Sequence, residues 1–520
     1  MGKYKPIVRV IMAAAGVAAL AAFIVLARPP DPSDRGARTV LGIWHPWGGP
    51  TLECFEQSVS AFTKSHPAIA CDLLYVPNDM ANNQKFYTAV IGNCAPEVIY
   101  VDGPQVAEWA ERGLLTDLGP LLKEFGRDPQ ELAGEFFAPC WRQCVYKGKV
   151  WAITYCADPN FAFFWNKDAF RKAVARGEIA SEYRGKVDPE KGPATIAEMD
   201  IYNDAITRKE GDRIVRVGII PWGMYGRANS LFTWGWAFGG EFYDAAHFKV
   251  TANDPRIVMA LDWMCSYARK YDVRSMAALQ STFGSNEQNP FFIGRQVMQL
   301  FHIGGLDELA RYAPNLECGI TSIPQPQGGE KDSAWVGGWT VAIPSTATDP
   351  AKRRAAMEYI LWACASTEGT RLASRTLAAY PGWKAAPFFS EVAGNPRAAA
   401  FVEILRKAAH QRPVMPAQAF YMDQLDRAVD RALRGELTPE RALDEATRNT
   451  QAMLDKVLAR SGGGVSGVGV WSPICKAPDP FAGVPAGCQP DAESGAKGSG
   501  ASRIGLQTPL LQTPLRGGGP

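Results

Sequence analysis

The sequence predicts an α/β fold built on a mostly parallel sheet, and three observations predict it. Residues 38–102 read strand, helix, strand, helix, strand, an alternation that returns successive strands to one sheet in the same direction. The chain has 520 residues, 47% of them hydrophobic, too many for one ordinary domain and apolar enough for more than one core. Two long helical patterns, Met422–Arg434 and Pro439–Leu458, close the fold, with Thr438 placed to cap the second and Pro439 in its first turn.

The elements follow in chain order. Lys3, Lys5 and Arg9 precede an uncharged run from Val10 to Ala27, 18 residues that span about 27 Å as a helix, close to the roughly 30 Å hydrocarbon core. The basic flank holds the N-terminus in the cytoplasm and sends the rest across. An uncleaved signal anchor is expected, with a cleaved signal and a buried core helix as the other readings; Arg28-Pro29-Pro30 disfavour cleavage, and no cysteine follows to carry a lipid. Arg38–Ile43 is a strand, followed by the loop Trp44-His45-Pro46-Trp47-Gly48-Gly49-Pro50. A helix starts near Leu52 with Phe55, Val59 and Phe62 on one face; Ile69–Val76 is a strand, Met80–Ile91 a helix and Glu97–Asp102 a strand. Ligands of such sheets bind beyond the carboxyl ends of the strands, which puts Trp44–Gly49 and the turn at Asp102 and Gly103 on one functional edge.

Farther on, Tyr146–Thr154 and Ala162–Trp165 read as strands, Ala194–Thr207 as a helix, and Val215–Ile220 as a strand. Leu231–Phe238 is rich in tryptophan and ends at Gly239-Gly240. Pro255–Lys270 is an amphipathic helix, Gln296–Phe301 a short strand, Trp339–Ile343 a strand, and Pro350–Ala365 a helix. Residues 461–520 hold 14 Gly and 8 Pro, 22 of 60 positions, which reads as a disordered tail. The folded part is then residues 38–460.

Charge and motifs exclude several functions. With 55 basic and 53 acidic side chains the net charge is +2, so no global field favours nucleic acid. Five histidines limit metal and general-base chemistry. The chain contains no His-Glu-x-x-His, no Gly-x-Ser-x-Gly and no phosphate loop, so no enzyme activity and no cofactor are expected; a glycoside hydrolase remains only because 53 carboxylates allow many pairings. Cys140, Cys144 and Cys156 are weak as metal ligands and fit a disulfide or plain burial better.

Several stretches resemble extracellular solute-binding protein family 1, the sugar-binding subunits of bacterial ABC importers. Ala95-Pro96-Glu97-Val98-Ile99-Tyr100 and Gly113-Leu114-Leu115-Thr116-Asp117-Leu118 are similar to the family's Ala-Pro-Asp-Val and Gly-Leu-Leu runs. Tyr146–Ile153, Phe164–Phe170 and Gly337–Pro344, with the helix Ala356–Glu368, match its later segments in order, although Thr154 and Glu97 replace the usual proline and aspartate and the lipobox cysteine is missing. The resemblance implies a two-lobed, type II periplasmic-binding-protein-like fold, with crossings near 153–155, 299–304 and 379–384. Lobe one would be 38–152 plus 305–378, and lobe two 153–304 plus 385–460. It also implies a monomeric, extracytoplasmic receptor that closes its cleft on a small solute and delivers it to an ABC permease. The solute expected is a carbohydrate, with a polyamine, glycerol phosphate or iron as alternatives, or a membrane-tethered sensor or scaffold role for the same fold.

A pyranose has an apolar C–H face and a rim of hydroxyls, so it asks for flat aromatic surface and polar groups around it. The 15 Trp, 16 Tyr and 24 Phe supply the first requirement, and a buried Trp face contributes at most about 4 to 6 kcal/mol. Trp44 and Trp47 stand in the first strand-end loop; Trp222, Tyr225, Trp234 and Trp236 cluster near glycines farther on. Trp234 and Trp236 share a face on a strand and diverge on a helix. Asp102 ends the third strand as a candidate hydroxyl acceptor. By resemblance, Trp339 is an aromatic platform, Asp158 and Asn160 lie where the family places a carboxylate or amide, and Tyr380 stands beside the third crossing.

Overall fold

The structure, a computed structural model, describes residues 38–77, 80–223, 226–377 and 379–462. The anchor expected at 10–27, Tyr225, and the expected tail beyond residue 462 lie outside them. No helix among the described residues is long and apolar enough to cross a membrane.

Ten strands position the site: β1 (Thr39–His45), β2 (Ile69–Tyr75), β3 (Val98–Asp102), β4 (Ile153–Thr154), β5 (Asp158–Asn160), β6 (Ala162–Asn166), β7 (Met298–Phe301), β8 (Cys318–Thr321), β9 (Trp335–Gly337) and β10 (Trp339–Ala342). The first sheet has the order β2-β1-β3-β10-β4. Strand β1 pairs in parallel with β2 and β3, while β10 runs antiparallel to β3 and β4, so four of the five strands point the same way. That agrees with the alternation read from residues 38–102. Residues Val98 to Val101 are all buried, as a central strand covered on both faces requires.

The helix after β1, α1 (Pro50–Ser65), buries Phe55, Val59 and Phe62, the stripe the spacing predicts. Glu97 has a structural role of its own: one carboxylate oxygen accepts the Gly42 N–H at 2.7 Å and the other meets Lys352 Nζ at 2.6 Å, tying β1 to the helix α2 (Pro350–Ala365). Leu41, Ile43, Phe62, Tyr100, Val341 and Tyr359 form one core, in which the Tyr100 and Tyr359 hydroxyls meet at 2.6 Å.

A second sheet, β7-β6-β8, is antiparallel, and every residue of β6 is buried. The larger core forms around it, from Phe163, Leu231, Met264, Phe301, Phe401 and Leu425. The described residues thus form an α/β protein with two large hydrophobic cores, one under each sheet. Residues 305–336 pack differently from the lobe-one assignment made on sequence: β8 hydrogen-bonds to β6, and Leu309, Ile323 and Trp335 enter the larger core. Cys140, Cys144 and Cys156 are buried free thiols, and Thr154 donates to the Cys140 carbonyl at 2.8 Å in place of the expected proline.

Two local readings change. The Tyr146–Thr154 strand is broken into a hairpin, Val145–Tyr146 against Lys149–Val150, because Lys147 and Gly148 both take positive φ, followed by β4. Val215–Ile220 is largely irregular; the strand there is Arg213–Arg216, paired with Arg208–Glu210.

Candidate functional site

Strand β1 delivers His45 and the loop behind it to the carboxyl edge of the first sheet. The loop folds inward. Trp47, expected as an open platform, is 6% exposed and packs among Phe55 at 4.7 Å, Tyr100 at 4.5 Å, Tyr155 at 5.3 Å and Trp339 at 6.1 Å between ring centroids. Its apolar surface gains more from that aromatic cluster than from water, so it supports the site from below. His45 is stacked beside it and fully buried. Trp44 stays half-buried, with Lys85 Nζ 5.1 Å from its ring centroid.

Burial pushes the His45 imidazole down from 6.5 to about 4, with a backbone contact to Trp47 opposing the shift. The neutral ring is therefore favoured in the folded state, and its stabilisation is complete above pH 6.5 and lost as pH falls toward 4. The shift corresponds to about 3 kcal/mol at most. Urea unfolding at pH 7 and pH 4 is expected to show that loss in the native chain and a smaller one in His45→Gln; equal losses would remove His45 as the cause.

Asp102 closes β3 opposite Trp339 of β10, its register partner. Gly103 must be glycine here, since a Cβ would sit 2.1 Å from Gln143 Oε1. Trp44, His45, Gln105, Trp109 and Trp339 line a crevice at this edge of only about 30 Å³, room for one water but not for a sugar ring.

Asp158 lies on β5, whose partner β9 leads into Trp339. Burial raises its carboxyl, with His302 and Arg412 lowering it along with the Asn160 side chain and the Ile303 backbone. Its Oδ1 atom has no hydrogen-bond partner. A buried acceptor without a donor is unfavourable by about 1–3 kcal/mol unless something donates to it. Asn160 is buried beside it.

The structure adds a residue that the sequence did not suggest. Arg412 comes from the segment between the helices α3 (Pro396–Lys407) and α4 (Gln418–Leu433), both in the larger core. Its Nη2 donates to both oxygens of Asp102 at 2.7 Å, its guanidinium lies 5.7 Å from the Trp335 ring centroid, and its buried Nε has no partner. Four buried polar atoms here have no hydrogen-bond partner: Asp158 Oδ1, Gln143 Oε1, His45 Nδ1 and Arg412 Nε. Arg412 stands in an aperiodic Gln411-Arg412-Pro413 loop, so only its place in a loop could have marked it.

The other tryptophans expected at the cleft are core residues. Leu231–Ala237 lies within the helix Arg227–Ala237, which Phe238 caps, so Trp234 and Trp236 diverge. Trp234 donates to the Pro221 carbonyl at 2.8 Å, and Trp236 is sandwiched between His410 and Phe232. Trp222 is 2% exposed within the same core. Tyr380 is also buried; its hydroxyl donates to the Ala398 carbonyl at 2.8 Å while its backbone bridges to Ala157, so it braces the crossing. Among the described residues no group of three or more His, Cys, Asp or Glu side chains is placed to hold a metal ion.

Comparison with known proteins adds the following. The model of a family described as bacterial extracellular solute-binding protein matches residues 57–400. No curated protein matches the chain. Among solved structures, CpMnBP1 with mannotriose bound is 22% identical, with 79% of this chain and 100% of that one covered and a TM-score of 0.65. The GacH receptor of Streptomyces glaucescens, solved unliganded and with acarbose, is 21% identical over 81% and 99% of the two chains, with a TM-score of 0.59. The maltose/maltodextrin-binding domain MalE from Bdellovibrio bacteriovorus, bound to maltotriose, is 18% identical over 80% and 100%, with a TM-score of 0.60.

Proposed function

The chain belongs to the bacterial extracellular solute-binding proteins, and from that premise we propose that it is the receptor of an ABC importer that closes over a carbohydrate without covalent chemistry. Membership of an extracellular family puts the folded part outside the cytoplasm. The observation that carries the carbohydrate reading is the strand-end cluster: Trp44, Gln105 and Trp339 line one crevice, and Trp339 is paired in register with Asp102, whose carboxylate accepts from Arg412 at 2.7 Å. The sugars bound by CpMnBP1, GacH and MalE, on the same fold, support it. The core memberships suggest lobes of roughly 38–156 plus 338–379, and 157–337 plus 380–460, with the hinge where β4, β5 and β10 meet. Tethering by residues 10–27, delivery to a permease and a monomeric state complete the reading.

The test is a tryptophan-fluorescence and thermal-shift panel on the full chain, with mannotriose, maltotriose, monosaccharides, spermidine and glycerol phosphate. A sugar at 1,000 times its dissociation constant is expected to add about 4.1 kcal/mol of stability. Trp339→Ala is expected to weaken that sugar about tenfold, since it removes one stacking face. A response to spermidine or glycerol phosphate and none to any sugar would overturn the carbohydrate reading, and unchanged affinity in Trp339→Ala would remove that platform.

A further inference from the structure

Helix α4 begins without a cap of its own. Its N-cap residue, Ala417, has no side-chain acceptor, its first turn holds no acidic residue, and the Gln418 side chain is buried with neither amide atom hydrogen-bonded. The first N–H groups of a helix have no partner within it and carry its partial positive charge, so a buried start of this kind needs an acceptor from elsewhere. One is supplied by Glu108, whose carboxylate accepts from the Ala419 N–H.

Glu108 belongs to the other side of the molecule. It lies on the short helix Val106–Glu111 after β3, where Val106 and Trp109 pack with Ile99 and Val101 of that strand. Helix α4 belongs instead to the larger core, through Tyr421, Leu425 and Val429. Glu108 is 8% exposed, and within its own half it accepts from Arg112 Nη2 at 2.6 Å and from the Tyr87 hydroxyl at 3.4 Å. Burial raises its carboxyl, while Arg112, Tyr87 and the Ala419 N–H lower it.

Two neighbouring contacts run the same way. Arg412 donates to Asp102, and Val414 packs against Ala107, Ala110 and Tyr146. The segment from Arg412 to Ala419 therefore docks on the segment from Asp102 to Ala110 by an ion pair, an apolar contact and a helix cap. A second borrowed cap lies wholly inside the larger core. The helix Arg227–Ala237 starts at Gly226, and its Ala228 N–H donates to Asp426 Oδ1 of α4 at 2.7 Å. That cap joins two helices of one core, whereas the cap from Glu108 joins two cores.

We propose that Glu108 is a positioning residue, which caps α4 from the opposite core and so holds the segment that carries Arg412 against the strand-end cluster. The consequence for solute rests on the reading of the chain as a receptor whose halves close; the cap itself does not. Loss of a contact made between the halves shifts weight to their parted form, so solute binds more weakly although Glu108 does not touch it.

The first test is hydrogen exchange of the full chain without solute, read in peptides over the start of α4. Glu108→Ala is expected to speed exchange there about tenfold, and Glu108→Gln, which keeps an acceptor oxygen, to restore most of the protection. Arg112 is 28% exposed and can turn to water in either variant. Arg112→Met removes the partner of Glu108 within its own half and should leave the start of α4 within about twofold of the native rate. Asp426→Ala should speed exchange at the start of the helix Arg227–Ala237 instead. Unchanged exchange at α4 in Glu108→Ala would overturn the cap, and an equal effect of Arg112→Met would reduce Glu108 to the partner in a local ion pair. The second test is titration with mannotriose and maltotriose. Whichever binds is expected to weaken about tenfold in Glu108→Ala and less than about twofold in Asp426→Ala. Equal weakening by the two would overturn the positioning role, because loss of any helix cap would then suffice. If neither sugar binds, the carbohydrate reading fails while the exchange result still decides the cap.

Discussion

Gly338→Ala is expected to destabilise the protein by about 3 kcal/mol or more and to abolish solute binding together with the local fold. Gly338 has φ of 130°, a backbone conformation that side chains with a Cβ rarely adopt. The added methyl would also lie 2.1 Å from the Cys156 carbonyl oxygen. That oxygen cannot easily retreat. The Tyr155 and Cys156 N–H groups both donate to the Trp339 carbonyl, at 2.9 and 3.2 Å, and the Gly103 N–H donates to the Gly338 carbonyl at 3.2 Å. Strain and overpacking each contribute about 1–3 kcal/mol, so the sum lies above most single substitutions. Gly328→Ala is the control: its φ is 75°, but nothing lies within 4 Å of the added methyl, so only the conformational part is lost. Denaturant midpoints read the difference, and equal midpoints for the two variants would show that the close contact at Gly338 is relieved without cost.

The same place shows what the sequence could and could not tell. The strands from Arg38 to Asp102 and the stripe Phe55, Val59, Phe62 were legible because each obeys a single local period that the sheet and its covering helix then satisfy. The neighbourhood of Trp339 and Asp102 was legible because Asp102 ends β3 and Trp339 begins the antiparallel β10, which brings the two into register at one edge of the sheet. Trp47 was misread for a physical reason: a Gly/Pro loop by itself offers a ring no core, but four aromatic rings from β3, α1, β10 and the crossing converge on it. Trp222, Trp234 and Trp236 followed the same error, since flanking glycines mark close packing as readily as an open edge. Gly235 illustrates it, with Phe242 2.4 Å from where its Cβ would be. Arg412 had no local signal, because its meaning comes from a partner 310 positions away.

Arg412→Met is expected to loosen the two halves of the protein more than it loosens either core. The ion pair joins Asp102, at the end of a strand in the smaller core's sheet, to a segment held between helices of the larger core. The two side chains are only 16% and 18% exposed, so the pair is screened far less than a surface pair. Removing the guanidinium leaves the Asp102 carboxylate with little water and no counter-charge, a change of the kind that usually destabilises by 3–5 kcal/mol when fully buried and by about 2–3 kcal/mol here. If the contact forms only with the halves together, that energy shifts their equilibrium toward separation by roughly 30- to 150-fold, and solute affinity falls with the population of the closed state. Small-angle scattering should then show a larger radius of gyration for Arg412→Met without solute. Adding Asp102→Asn removes the stranded charge and should recover much of the loss, because methionine beside a neutral amide leaves no buried ion. An unchanged radius of gyration together with unchanged affinity would mean that the pair does not hold the halves together. A single variant that changes both, with recovery in the double variant, would make the Asp102–Arg412 contact part of closure as well as of the solute site.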